Sequence, residues 1–129
     1  MKNLTAEWLT KAEEDFSVAI GLVRRRRLPA NSICFHCQPA AEKYLKALLQ
    51  HNRTRFGRTH DLEELLRLIS DQTPGLMLMS DDLKLLSDYS VRYRYPGIDA
   101  TPRQARNAVT AVKRVRQAVL GVLPGKRKC

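Results

Sequence analysis

The helical pattern of this chain is clearest in residues 35–49, which read FHCQPAAEKYLKALL. Apolar and small side chains recur there at steps of three and four residues, so they fall on one face of a helix. Glu42 and Lys46 stand four residues apart and are predicted to form an ion pair. The stretch therefore predicts a helix with a buried face, which holds Cys34, Cys37, Ala41, Tyr44, Leu45, Leu48 and Leu49.

The first turns of this helix contain a proline, Pro39. Proline lacks the backbone donor of a helix, and its ring clashes with the carbonyl four residues earlier, here that of Phe35. We therefore expect either a kink at Pro39 or a late helix start. Upstream, Asn31 or Ser32 is predicted to cap the helix.

Towards the N-terminus, a second apolar stripe predicts a helix from Leu4 to Arg26. The arginine run at residues 24–27 would end this helix, because positive charge suits a helix C-terminus. Pro29 follows and prevents the helix from continuing.

Towards the C-terminus, three more apolar stripes predict three further helices. They are expected to begin at Thr59, at Ser80 and at Thr101, where Pro102 takes the first helical position. No segment alternates in the manner of a half-buried strand. We therefore predict an all-α, up-and-down bundle of four to five helices over residues 1–124, with a basic tail at residues 125–129.

The charge of the chain is strongly positive. It has 129 residues, which suits one domain, and 23 Lys and Arg against 13 Asp and Glu give a formal charge of +10. Such an excess favours polyanionic partners such as RNA or nucleotides, although a basic surface can also serve solubility alone. Because the arginines are clustered, we favour an anion-binding surface.

The chain has three cysteines: Cys34, Cys37 and Cys129. An odd number, with no apolar leader at the start, favours a reducing compartment, so we expect a cytoplasmic protein without membrane association. Cys34 and Cys37 have the spacing of half a zinc site, but no second pair exists. They are therefore predicted to be small core residues rather than metal ligands.

Three segments at these spacings resemble the HEPN domain family: residues 35–49, HDLEEL at 60–65 and YSVRYRYP at 89–96. The first and last predicted helices fit as well, so the resemblance is nearly full length. Pro39 departs from the family, which more often has a second Gln or another helix former there. The resemblance implies a four- or five-helix bundle, often homodimeric, that binds nucleotide or RNA. It also implies a partner, because many members form a toxin–antitoxin pair with a minimal nucleotidyltransferase; no cofactor is expected.

Many members of this family are metal-independent RNases in which an Arg precedes a His by four to six residues. Arg55 and His60 fit this spacing, and so do Arg53 and His60. A His can move the proton of a ribose 2′-hydroxyl while an Arg holds the phosphate. In the RNase members, however, the motif lies later, where this chain has Arg92 and Arg94 but no following His. His60 instead matches the start of the third helix, where a structural bond across the bundle is expected.

The segment from Arg92 to Tyr95 alternates cations with aromatic rings, which can pair with phosphate and stack on bases. Alternatively, Tyr95 packs into the end of the bundle. One of Arg92 and Arg94 is expected to pair with Glu42 or Asp15, and the sequence does not say which. The candidate nucleotide- or RNA-binding residues are Arg92, Arg94, Tyr95, Lys43, Arg53 and Arg58.

Three functions follow from the sequence. The first is a nucleotide- or RNA-binding module that acts with a minimal nucleotidyltransferase. The second is a metal-independent RNase toxin that uses His60 with Arg55 or Arg53. The third is a structural dimerisation domain, for which the positive charge would be incidental.

Overall fold

The computed structural model describes residues 3–124 of the chain, and these fold into α-helices without any strand. This confirms the predicted all-α bundle; the predicted basic tail at residues 125–129 lies outside the described residues. The helices are α1 (Asn3–Val23), α2 (Ala30–His51), α3 (Leu62–Ser70), α4 (Ser80–Arg92) and α5 (Pro102–Val122). A short 3₁₀ helix, which the sequence did not predict, joins α3 to α4 over Pro74–Met79.

Helix α2 is the centre of the bundle, because it packs against each of the other four α-helices. All the residues of its predicted apolar face are buried. The helix runs continuously through Pro39, so the expected late start is wrong. A proline inside a helix costs about 3 kcal/mol. Burial of the neighbouring Cys37, Ala40 and Ala41 offsets that cost.

The predicted ends of α1 and α2 need correction. Helix α1 ends at Val23 instead of Arg26, because no apolar residue in the arginine run gives a further turn anything to pack against. Helix α2 begins at Ala30 without a side-chain cap. Asn31, one of the two predicted caps, instead bonds to the loop before α5: its amide donates to Asp99 (2.9 Å) and accepts from the backbone of Ala100 (2.7 Å).

The caps of the later helices fall at or near their predicted positions. Thr101 caps α5, as predicted, and the structure adds a reciprocal hydrogen bond from the backbone of Thr101 to the side chain of Gln104. Helix α3 is capped by Asp61 and not by Thr59, because the Asp61 carboxylate accepts the backbone N–H groups of Glu63 and Glu64. Thr59 accepts the N–H of Asp61 and so shapes the approach to the helix.

A partly exposed polar cluster joins α1, α2 and α5 at the edge of the core. Arg116 holds Glu13 with two hydrogen bonds, of 2.6 and 3.0 Å, and its guanidinium lies 4.9 Å from the centre of the Phe16 ring. Tyr44 donates its hydroxyl proton to the same carboxylate. The hydrogen bond from Arg116 lowers the pKa of Glu13, although burial opposes this. Burial, together with Glu13, raises the pKa of Tyr44.

We expect Arg116→Met to lower the free energy of unfolding at pH 7 by about 1–2 kcal/mol, because it removes a charged pair of hydrogen bonds. The folded-state pKa of Glu13 lies below its unfolded value, so the pair stabilises the protein above that value and loses this effect as the pH falls. Wild type should therefore lose more stability than the variant below about pH 4.5. Urea unfolding at several pH values measures both effects.

Arg106→Met is the control, because Arg106 is an exposed arginine of α5 outside this cluster. The control should change stability by about 0.5 kcal/mol or less. Equal losses in the two variants, or the same pH dependence in wild type and Arg116→Met, would contradict the proposed contribution of the cluster.

Candidate functional site

An open groove of about 530 Å³ lies between α2, α4 and the start of α3. Helix α2 contributes Phe35, Gln38, Pro39, Glu42 and Lys43; α4 contributes Ser87, Ser90 and Val91. Arg94, just after α4, and His60 and Asp61, just before α3, complete it. The groove therefore brings together residues that are more than fifty positions apart in the chain.

Two of the cationic side chains in the groove differ in how they are neutralised. Lys43 forms an ion pair with Asp15 of α1 at 2.5 Å. Arg94 is exposed and forms no ion pair within residues 3–124. Its guanidinium carbon lies 6.0 Å from the centre of the Phe35 ring, which is itself 48% exposed. Arg94 and Phe35 therefore present a cation and an aromatic ring side by side, an arrangement suited to a phosphate and a base.

His60 is held from α2 although its side chain is 81% exposed. Its Nδ1 lies 2.9 and 3.0 Å from the two carboxylate oxygens of Glu42, and Gln38 donates to its carbonyl oxygen at 3.0 Å. This confirms the expected bond across the bundle. The ionised carboxylate of Glu42 can only accept a hydrogen bond, so Nδ1 of the neutral ring has to carry the proton and donate it to Glu42. Nε2 is then the nitrogen of the ring that is free to accept a hydrogen bond.

A buried ion pair lies beneath His60. The ammonium nitrogen of Lys46 is 2.9 Å from Glu42 Oε2, and the two side chains are only 6% and 8% exposed. Trp8 and Phe56, in edge-to-face contact, cover the ammonium group at 5.3 and 5.9 Å from their ring centres. The sequence predicted the pair correctly but could not show that it is buried under two aromatic rings.

The structure places the predicted site residues in different environments. Lys43, His60 and Arg94 line the groove, whereas Arg53 and Arg55 line a separate pocket with Phe56. The catalytic pairing of His60 with Arg55 or Arg53 therefore stays a prediction. The remaining predicted residues, Arg58, Arg92 and Tyr95, are exposed and line neither pocket.

The predicted role of the Arg92–Tyr95 segment in packing needs correction. Neither arginine pairs with Glu42 or Asp15, because those carboxylates are taken by lysines and His60. Arg92 pairs with Asp88 on its own helix at 2.9 Å. Tyr93 is the buried ring at this end of the bundle, and Tyr95 is 63% exposed.

Sequence reasoning missed Phe35, Gln38, Ser87 and Ser90 as groove residues. Phe35 carried a usable signal, since it is an aromatic residue that lies off the predicted apolar face of α2. The two serines carried none, because nothing in the sequence shows which face of α4 lies opposite α2.

The cysteine pair of α2 belongs to the core. Burial raises the pKa of Cys34 to about 11 and that of Cys37 to about 12, so both thiols stay protonated and unreactive at neutral pH. Within residues 3–124, no group of three or more His, Cys, Asp or Glu side chains is placed to hold a metal ion. No helix in that range is long and apolar enough to cross a bilayer.

The fold is a helical-bundle domain with a groove beside its central helix, and this groove is lined by both cationic and acidic side chains. A family model described as the HEPN domain matches residues 5–122, and the chain therefore belongs to the HEPN domain family, whose members are usually associated with nucleotides or RNA. No curated protein sequence matches the chain.

Two solved structures share the fold. TT1696 from Thermus thermophilus is 24% identical, with a TM-score of 0.81 over 95% of this chain and 100% of that one. ST0689, described as an archaeal HEPN homologue, is 26% identical, with a TM-score of 0.69 over 94% of this chain and 98% of that one.

We expect Lys46→Met to destabilise the protein by about 3 kcal/mol, because it leaves Glu42 as a buried carboxylate without its ammonium partner. The double variant Glu42→Leu/Lys46→Met removes both charges and should recover most of that loss. It should also release His60 from the Nδ1–H tautomer, which NMR of the ring nitrogens detects. Urea unfolding followed by the fluorescence of Trp8, the one tryptophan of the chain, measures stability.

Lys84→Met is the control, because Lys84 is an exposed lysine of α4. Its effect should stay within about 0.5 kcal/mol. A double variant that is no more stable than Lys46→Met would contradict the cost of leaving Glu42 unpaired. A His60 tautomer that does not change in the double variant would show that Glu42 does not position the ring.

Proposed function

We propose that this chain is a nucleotide- or RNA-binding HEPN module whose ligand phosphate binds in the groove. The observation that carries this proposal is Arg94, an exposed guanidinium without an ion-pair partner in residues 3–124, beside an exposed aromatic ring. Arginine recognises phosphate through two parallel hydrogen bonds, and bases stack on aromatic rings. A nucleotide can therefore bind with its phosphate on the guanidinium of Arg94 and its base stacked on the ring of Phe35.

Other groove residues suit the same ligand. Lys43 adds positive charge, although its pairing with Asp15 weakens what it offers an anion. Ser87 and Ser90 place hydroxyl groups along the α4 side, where they can bond to ribose or phosphate oxygens. His60, just before α3, also lines the groove. Polar side chains therefore come from α2, α4 and the start of α3, and the Phe35 ring lies near the N-terminal end of α2.

We further propose that the module is the toxin-type component of a pair with a minimal nucleotidyltransferase, in the cytoplasm. Support comes from membership of the HEPN family and from the charge of +10, which suits an acidic partner. The predicted homodimer also stays a proposal. Three apolar side chains are exposed at and just after the C-terminal end of α4: Val91, Tyr95 and Ile98. They offer a surface that a second copy of the chain can cover.

We expect Arg94→Gln to weaken binding of ATP and of a short single-stranded RNA about tenfold, because it removes the guanidinium group that is proposed to bind the phosphate. Fluorescence anisotropy and calorimetry at fixed salt measure the two affinities. Arg106→Gln on α5 is the matched control, since Arg106 is exposed and lies outside the groove; it should change affinity less than about twofold.

Equal effects of Arg94→Gln and Arg106→Gln would contradict a site in the groove. The whole proposal fails if the protein binds neither ligand and if tagged protein co-purifies with no nucleotidyltransferase. A dimer that is insensitive to salt, with no salt-dependent affinity for RNA, would favour the structural dimerisation domain.

A second candidate function is metal-independent RNA cleavage, which the bond between His60 and Glu42 favours. Glu42 fixes the orientation of the ring. Nε2 of the neutral ring can take the proton of a 2′-hydroxyl, whose oxygen attacks the adjacent phosphorus and leaves a 2′,3′-cyclic phosphate. The departing 5′-oxygen takes a proton from the imidazolium or from water and leaves as a hydroxyl. Arg94 lies in the same groove to stabilise the phosphate, whereas Arg55 lies in the other pocket.

If this candidate is right, the protein cleaves RNA in the presence of EDTA, and His60→Ala abolishes cleavage without loss of the fold. Comparing Arg94→Ala with Arg55→Ala identifies the arginine that acts with His60. Circular dichroism verifies folding, and the 2′,3′-cyclic ends are detected by mass spectrometry. Undiminished cleavage by His60→Ala, or no cleavage by wild type, rules the candidate out.

A further inference from the structure

A pocket lined by two arginines lies at the C-terminal end of α2, apart from the groove. Its lining residues are Gln50, Arg53, Thr54, Arg55 and Phe56. Both arginines are exposed, and neither forms an ion pair with any residue between 3 and 124. They therefore leave two guanidinium groups available to an anion.

Arg53 occupies a backbone position that favours glycine. Its φ is 58°, and it is the one non-glycine residue with positive φ in the described chain. The hydrogen bonds from Thr54 N to Leu49 O (3.0 Å) and from Arg53 N to Gln50 O (3.1 Å) are those of a Schellman motif. An L-residue adopts this conformation at a cost in free energy that glycine avoids. An arginine at this position suggests that its side chain is used.

Contacts from three helices hold the loop that carries these arginines. The amide of Gln72, just after α3, donates to the hydroxyl of Thr54 at 2.8 Å. Phe56 packs edge-to-face on Trp8 of α1 and covers Lys46 of α2. The pocket is thus a fixed part of the fold.

The pocket and the groove lie on one face of α2. At about 100° per residue, Phe35, Glu42 and Lys46 point within about 40° of one another, and Gln50 lies about 40° further round than Lys46. Groove and pocket are therefore successive sites along the helix, separated by the aromatic rings over Lys46. From Phe35, which lies beside Arg94, to Gln50 the helix rises about 22 Å.

We propose that the ligand is single-stranded RNA that spans both sites, with one phosphate at Arg94 and another at Arg53 and Arg55. The inference rests on the proposed function of the groove and names its substrate class. Phosphates recur along an RNA strand, whereas a mononucleotide carries its phosphates in a single cluster. Sites for single strands cover about 4 nucleotides or more, which suits a cationic face of this length.

The test measures binding of a 12-nucleotide single-stranded RNA and of ATP to the full chain over a range of salt concentrations. The variants are Arg53→Gly and Arg55→Gln, with Arg106→Gln as the control. Arg53→Gly removes the guanidinium while placing the favoured residue at the positive φ, so the fold is retained. Each variant should weaken RNA binding about threefold to tenfold and reduce the slope of log K against log salt by about 0.7. ATP affinity should not change.

The outcomes separate this inference from the proposed function. If Arg94→Gln weakens ATP binding but Arg53→Gly and Arg55→Gln leave the RNA affinity and its salt slope unchanged, the groove stands and the two-site ligand is wrong. The two-site RNA ligand is also ruled out if RNA binds no more tightly than ATP. The same holds if polyglutamate of matched charge binds as tightly as RNA. If neither ATP nor RNA binds, the proposed function itself fails.

Discussion

The buried ion pair between Glu42 and Lys46 is the constraint on which both the packing and the site of this domain depend. Two charges in the interior are tolerated only when each neutralises the other and their remaining hydrogen-bonding groups are satisfied. Trp8 and Phe56 cover the ammonium group of Lys46, and His60 forms a further hydrogen bond with the carboxylate of Glu42. The pair thereby links α1, α2 and the loop that leads to α3. An apolar pair at these positions would remove both buried charges, but it would leave the His60 ring without the carboxylate that orients it, since Gln38 holds only its backbone.

The abundant positive charge of the chain is divided between structure and surface. Arg116 and Lys43 pair with carboxylates of α1 and hold that helix to α5 and α2. Arg94, Arg53 and Arg55 have no such partners in the described residues, and they lie along the α2 face that carries the groove and the second pocket. Composition alone suggested an anion-binding surface; the structure shows which of the unpaired arginines line the groove and the second pocket.

Much of the fold was predictable because each helix has to bury a continuous apolar stripe. The faces of α2 and α3, the cap at Thr101 and the Glu42–Lys46 pair all follow from residues that are neighbours in sequence. One error arose where a distant residue competes for a capping group. Asn31 was expected to cap α2, but it binds the loop before α5. Nothing local to Asn31 reveals that alternative.

The sequence by itself determined the helices, the positive charge and the family resemblance, because periodicity, composition and motif spacing are local properties. The tertiary structure alone decided which cations share a site. Arg55 is near His60 in sequence but lines another pocket, whereas Arg94 is distant in sequence and lies in the same groove. The reason is physical: α4 packs against α2 and α3, and this packing brings the residue after α4 beside Phe35.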